Sequence, residues 1–186
     1  MGKTRLYMMV VGCKPEGRFT EQHDIYFGIG GSLKEAASQL DDFWPNGGKL
    51  HIDSWREVNN VDGYRIEVKE RSDAHAQSKK LFFLNLGGYK KNDLEEYHYK
   101  MLTAAADKGE AVKTALQSAF YLHTGFKGAE SHIDDKYGVD VDDMYEIEDI
   151  LHPSLRDKYF IAISETTDPQ LPEDPARPGY VKLSSL

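Results

Sequence analysis

Cysteine is almost absent. Cys13 is the single thiol in 186 residues. No intramolecular disulfide can form and no thiolate cluster can hold zinc, so a reducing compartment, the cytoplasm, is the expected setting. Long apolar runs are absent as well. Leu6 to Val11 is only six residues, below the roughly 7–15 of a signal segment and the about 20 of a membrane span. It reads as a first buried strand, and no membrane partner is expected. Positive charge is scarce: 23 Lys and Arg stand against 31 Asp and Glu, for a net charge of -8. The basic doublets Lys79-Lys80 and Lys90-Lys91 are too short to track a polyanion, so nucleic acid is not an expected partner. Proline is sparse until Pro169, Pro172, Pro175 and Pro178, four of the chain's 7 prolines. Such a tail is extended, and lies on the body, on a neighbouring subunit or free; a homo-oligomer is one expectation.

The remainder is ordinary for a folded protein, with 40% hydrophobic and 29% charged residues. That length suits one domain or two small ones, and folding buries roughly 70% of the chain's surface. One stretch is written twice. His51-Ile52-Asp53 continues through Val58 and Asp62 to Tyr64, Ile66 and Glu67. The same letters return as His132-Ile133-Asp134, Val139, Asp143, Tyr145, Ile147 and Glu148. Upstream the correspondence is shorter: Leu81 answers Leu6, Gly87 answers Gly12, Glu96 answers Glu21 and His98 answers His23. This predicts an internal duplication, with extra residues around Thr124 to Glu130 in the second copy.

Each copy reads as ββαββ. In the first, Leu6–Val11 and Gln22–Ile29 read as strands. Ser32 with Glu35 forms a capping box for a helix whose apolar face runs from Leu33 to Trp44. Lys49–Val58 and Tyr64–Val68 then read as strands joined by the turn Asn59–Gly63. Asp107 with Glu110 repeats the cap, and Ala111, Val112, Ala115, Leu116, Ala119 and Phe120 form the second apolar stripe. The expected fold is α+β: two tandem ββαββ repeats with pseudo-twofold symmetry, their mixed or antiparallel sheet packed by helices. The expected units are residues 1–73 and 79–152. Residues 153–186 add a strand at Tyr159–Ile163 and the proline-rich tail.

Two chemical pairs recur. Glu21-x-His23 and Glu96-x-His98 form one; His51-x-Asp53 and His132-x-Asp134 form the other. On a strand, residues two apart share a face, so each pair sets an imidazole beside a carboxylate. The plainest reading is a hydrogen-bond network holding loop ends. The second is a divalent-metal site, since converging N and O ligands suit zinc, manganese, iron or nickel. The third is a metal-free acid–base pair. His75, His123 and His152 lack such partners and read as surface or helix-end residues. Gly28-Ile29-Gly30-Gly31-Ser32 could seat an anion at a helix start, but glycines there more often serve geometry. The acids from Asp134 to Asp149 lack the spacing of a calcium loop and read as a solvated edge. Cys13 reads as a core residue, and Trp44 and Trp55 as core or pocket wall.

The segments Glu21-Gln22-His23-Asp24, Gly28-Ile29-Gly30, Phe43-Trp44-Pro45 and Lys49-Leu50-His51-Ile52-Asp53 resemble a bacterial family of unknown function, number 1543. So do Leu86-Gly87-Gly88-Tyr89, Glu96-Tyr97-His98, the run from His123 to Gly128 and the run from Ser131 to Gly138. The resemblance covers about residues 4–151. It implies a compact bacterial cytosolic protein and transfers no reaction, cofactor or site residue. Three functions follow from these residues. One is a binding or interaction module that takes a small-molecule ligand. The second is a metal-dependent enzyme acting on a small molecule. The third is a structural subunit assembled through its tail.

Overall fold

The structure, a computed structural model, describes residues 3–89, 94–117, 140–166, 172 and 174–186. Its elements in chain order are β1 (Arg5–Cys13), β2 (Gln22–Gly30), α1 (Leu33–Ala36), α2 (Leu40–Phe43), β3 (His51–Val58), β4 (Asn60–Val61) and β5 (Tyr64–Glu70). There follow β6 (Lys80–Tyr89), β7 (Glu96–Ala105), α3 (Lys108–Leu116), β8 (Asp140–Glu146) and α4 (Ile147–Ile150). The last are α5 (Pro153–Lys158), β9 (Tyr159–Glu165) and β10 (Arg177–Lys182). The architecture is α+β, with few helices and antiparallel pairing throughout the described sheets. No described helix is long and apolar enough to cross a membrane.

The chain forms two compact units. The first comprises Met1–Ala76 with Ile150–Leu186, and the second Gln77–Asp149. Unit 1 holds a four-stranded sheet in the order β10-β3-β1-β2 and a three-stranded sheet in the order β4-β5-β9. The central strand β1 is apolar at consecutive positions because both of its faces are covered. Its odd positions, Tyr7, Met9, Val11 and Cys13, join Tyr26, Ala36, Leu40 and Ile52 in one core cluster. Burying each large aliphatic there contributes about 1.5–3 kcal/mol. Cys13 is in this core, and Trp44 and Trp55 pack against it.

The helix expected from Leu33 to Trp44 is divided. α1 ends at Ala36 with Ala37 as its C-cap, and Ser38 turns its hydroxyl back to donate to the Glu35 carbonyl at 2.7 Å, which competes with helix continuation. The capping box itself is present: Ser32 Oγ accepts from Glu35 N at 3.3 Å, and the Glu35 carboxylate accepts from Gly31 N at 2.7 Å. The glycines of β2 serve close packing. A Cβ on Gly28 would run into the Ala36 carbonyl, and one on Gly30 would lie 2.7 Å from Ala36 N. The β4–β5 turn is set by Asp62 (φ 51) and Gly63 (φ 77), the paired positive angles of a tight hairpin.

The tail lies on its own chain. β10 extends the sheet beside β3, with Val181 opposite Ile52 and Lys182 opposite His51. Pro178 is tolerated because β10 is an edge strand. Just ahead of it, the Asp174 carboxylate accepts from Asn59 N at 2.6 Å, Asn60 N at 2.9 Å and Asn59 Nδ2 at 2.9 Å. His152 caps α5, its Nδ1 2.8 Å from Ser154 Oγ. His75 Nδ1 lies 3.2 Å from the Asp73 carbonyl. His123 lies outside the described residues.

Unit 2 holds a three-stranded sheet in the order β7-β6-β8, with α3 capped by Asp107 Oδ1 accepting from Glu110 N at 2.9 Å. Phe82, Leu84 and Leu86 pack with Ala111 and Ala115 of α3. Its pairing repeats that of unit 1. Gly12 faces His23 across β1–β2, and Gly87 faces His98 across β6–β7. β1–β3 and β6–β8 each carry a register shift at the corresponding place, at Val10/Val11 and at Asn85/Leu86.

The last strand departs from expectation. Tyr64, Ile66 and Glu67 lie on β5, which pairs with β9. Tyr145 lies on β8 beside β6, and Ile147 and Glu148 begin α4. The partner of Gly12 on its third strand is His51, whereas the partner of Gly87 is Asp140. The sheet therefore matches His51-Ile52-Asp53 with Asp140-Val141-Asp142. His132 and Asp134 lie outside the described residues.

Candidate metal centre

The site in unit 1 is built from one row across the sheet. His23 on β2, Gly12 on β1 and His51 on β3 stand opposite one another in register. Directly opposed residues point to the same face, and neighbouring strands lie about 4.8 Å apart. The two imidazoles thus rise from strands on either side of β1. Gly12 has no side chain to stand between them. A Cβ there would lie 2.5 Å from His51 Nε2 and 2.7 Å from Asp53 Oδ2. Glu21 shares His23's parity just before β2, and Asp53 shares His51's on β3.

The sequence set Glu21, His23, His51 and Asp53 is brought together in space. His51 Nε2 lies 3.1 Å from Glu21 Oε1 and 3.2 Å from Asp53 Oδ1. His23 Nε2 lies 3.1 Å from Asp53 Oδ2 and 3.8 Å from Glu21 Oε2. Each ring nitrogen thus addresses both carboxylates. His51 Nε2 and Asp53 Oδ2 are buried without a hydrogen-bond partner; the approaches are short, but the groups are not aligned along them. An unsatisfied buried polar group costs about 1–3 kcal/mol, so these two atoms gain from any ligand that reaches them. The His51 side chain is 4% exposed, whereas those of Glu21 and His23 are 45% and 46% exposed. The cluster is therefore anchored at the sheet and open on one side. The Tyr180 ring from β10 covers the His51 imidazole, with centroids 4.3 Å apart.

Unit 2 brings together Glu96, His98 and Asp142, whose ligand atoms lie within 4.8 Å of one another. His98 Nε2 is 3.2 Å from Asp142 Oδ2. Gly87 plays the part of Gly12: a Cβ there would lie 2.6 Å from Asp142 Oδ2 and 2.7 Å from Glu96 Oε1. Asp142 was not among the residues the sequence pointed to. The usable signal was the acid-apolar-acid run Asp140-Val141-Asp142, read against Gly87 instead of against the repeated His-Ile-Asp letters.

Other sequence candidates carry less. α1 spans only Leu33–Ala36, and its capping box takes up the Glu35 and Gly31 amides. Burial raises the Cys13 thiol pKa above its ordinary value, and Glu21 adds to the effect; both disfavour the thiolate a nucleophile needs.

No curated protein matches the chain. Among solved structures, the crystal structure of a protein Il1583 from Idiomarina loihiensis is similar over 97% of both chains, with 23% identity and a TM-score of 0.66. At that identity the likeness shows a shared fold alone. The family match is narrower than the 4–151 resemblance, but the matched segment contains Glu21, His23, His51 and Asp53. Residues 18–68 match the model of the family described as Domain of Unknown Function (DUF1543).

Proposed function

We propose that unit 1 is a divalent-metal-binding module, with Glu21, His23, His51 and Asp53 as ligands of one ion. The observation that carries this is the approach of both imidazoles to both carboxylates, with His51 Nε2 and Asp53 Oδ2 buried and without a hydrogen-bond partner among the described residues. Ligands bound at about 2.1 Å lie about 3.0 Å apart at right angles and about 3.4 Å apart in a tetrahedron. The imidazole–carboxylate approaches of 3.1, 3.2, 3.1 and 3.8 Å, which engage both oxygens of each carboxylate, are near those values. Two carboxylates offset a dication's charge, and two imidazoles beside them favour zinc, manganese, iron or nickel over calcium. Glu96, His98 and Asp142 offer a second, three-ligand set. Their common register also supports reading the two units as descendants of one duplicated unit.

The exposed Glu21 and His23 side leaves coordination positions open to solvent. That favours binding of a small molecule at the metal. Catalysis on that molecule is the second reading, because an ion with open positions can polarise a bound oxygen. Assembly through the tail has less support, since residues 177–182 pair with the chain's own β3.

The test is metal content and affinity. Chelator-treated protein is titrated with zinc, manganese, iron(II) and nickel by calorimetry, and the bound metal is quantified. The reading expects submillimolar or tighter binding that His51→Ala weakens by roughly 100-fold or more while the fold is retained. Wild-type protein that binds none of these ions would contradict it. Turnover of a ligand, as against its simple binding, separates the enzyme from the module.

A further inference from the structure

The row across the unit 1 sheet does not stop at His51. Its next member is Lys182 on β10, directly opposite His51. The complete row is His23, Gly12, His51 and Lys182. Opposed residues in an antiparallel pair share a face, so Lys182 stands on the side that carries the ligand set. The neighbouring pair confirms the parity: Val181 opposes Ile52, and both belong to the core on the other face. Tyr180 shares Lys182's parity, and its ring lies on the His51 imidazole at 4.3 Å. A register shift between Pro178 and Val181, with Gly179 at φ 145, lets the chain place Tyr180 there.

Lys182 is exposed and makes no ion pair with any described residue. The charges at this end of the sheet therefore do not cancel once a metal is bound. A dication with the Glu21 and Asp53 carboxylates sums to zero, and the Lys182 ammonium adds one positive charge. The half-exposed side of the cluster keeps coordination positions free. A neutral ligand would leave the ammonium to solvent, a cationic one would be repelled, and an anionic one gains its attraction.

We infer that the open positions of the unit 1 metal take a small oxyanion, a carboxylate or phosphate group, whose second contact is the Lys182 ammonium. This rests on the metal reading above. One anionic oxygen coordinates the ion and another accepts from Lys182. The Tyr180 phenol, 62% exposed beside them, is available as a further donor. Lys182 supplies a point charge on a flexible stem, which suits either group without dictating its shape.

The experiment uses the full chain loaded with cobalt(II), whose visible spectrum reports its coordination sphere. Inorganic phosphate and acetate are titrated separately against wild type, Lys182→Met and Lys182→Arg. The inference expects a saturable spectral change with at least one anion, weakened about 10-fold in Lys182→Met and restored in Lys182→Arg. Cobalt affinity should stay within twofold in both variants. The anion that binds more tightly identifies the group. If cobalt does not bind wild type, the metal reading fails and this inference falls with it. If cobalt binds but neither anion alters the spectrum, only this inference fails. Equal anion affinity in wild type and Lys182→Met overturns the role of Lys182.

Discussion

Gly12→Ala is the most informative single change, because it adds one methyl group at the centre of the proposed ligand set. Gly12 does not have the positive φ found at Gly17, Gly48, Gly63 and Gly179, so alanine fits the β1 backbone. Its lower unfolded-state entropy is worth roughly 0.4–1 kcal/mol in favour of folding. The new Cβ would lie 2.5 Å from His51 Nε2, 2.7 Å from Asp53 Oδ2 and 3.0 Å from His51 Cε1. Two ligands must move by several tenths of an ångström or more. Metal bonds tolerate about 0.2 Å. His51 has little room to comply, because it is 3% exposed and covered by the Tyr180 ring. Disturbing a group that only orients a ligand costs about 10–100-fold in metal affinity. Displacing two ligands at once should reach the upper end, about 100-fold or 2.7 kcal/mol. Calorimetric titration measures this directly. Thermal unfolding provides a second readout: metal at 100 times the wild-type Kd stabilises wild type by about 2.7 kcal/mol, and this gain should nearly vanish in the variant. A folded Gly12→Ala protein that binds metal within threefold of wild type would refute the placement of the ion.

Gly87→Ala is the matched change in unit 2, its Cβ falling 2.6 Å from Asp142 Oδ2. It should remove any second, weaker binding event and leave the unit 1 isotherm unchanged. Asp174→Ala removes three hydrogen bonds at the β3–β4 corner and should cost about 1–3 kcal/mol in denaturant unfolding, with faster amide exchange along β10. Tyr26 gives a pH signature. Burial, with a contribution from Asp42, pushes its phenol up to about 12 from 10.0. The folded state thus prefers the neutral form, and this stabilisation is complete below pH 10 and lost as pH rises towards 12. The loss amounts to up to roughly 3 kcal/mol. Tyr26→Phe should flatten the stability profile over that window, and a profile as steep as wild type would count against the buried phenol.

The strands and caps were readable because they rest on local rules. Alternation identified β2, and Ser32 with Glu35 and Asp107 with Glu110 marked both helix starts; the turn expected over Asn59–Gly63 between Lys49–Val58 and Tyr64–Val68 is instead a short hairpin of Asn60–Val61 with β5, while β3 belongs to the other sheet. The His–carboxylate pairs were readable because residues two apart share a strand face. Their meeting was less visible, since β1 stands between β2 and β3 and only a glycine at position 12 lets the two imidazoles face each other. At the second copy the repeated His-Ile-Asp letters lie outside the described residues. His132-Ile133-Asp134 repeats the letters of the first, yet the hydrogen-bond register gives the place of Asp53 to Asp142. Register is fixed by the burial of a whole strand face, and β8 with Val141 and Met144 on the core meets that demand with different residues. Lys182 could not be found at all from sequence. It reaches the row only because the tail adds as an edge strand to β3, a tertiary pairing about 130 residues distant that no local pattern announces.

The proposed centre holds one divalent ion among Glu21, His23, His51 and Asp53. X-ray absorption spectroscopy on zinc-loaded protein, with Gly87→Ala as background to isolate unit 1, tests it most directly. The expected spectrum has two imidazole nitrogens and at least two oxygens at about 2.0–2.2 Å, falling to one imidazole in His23→Gln. A first shell of oxygens without imidazole, or one unchanged by His23→Gln, would contradict the claim.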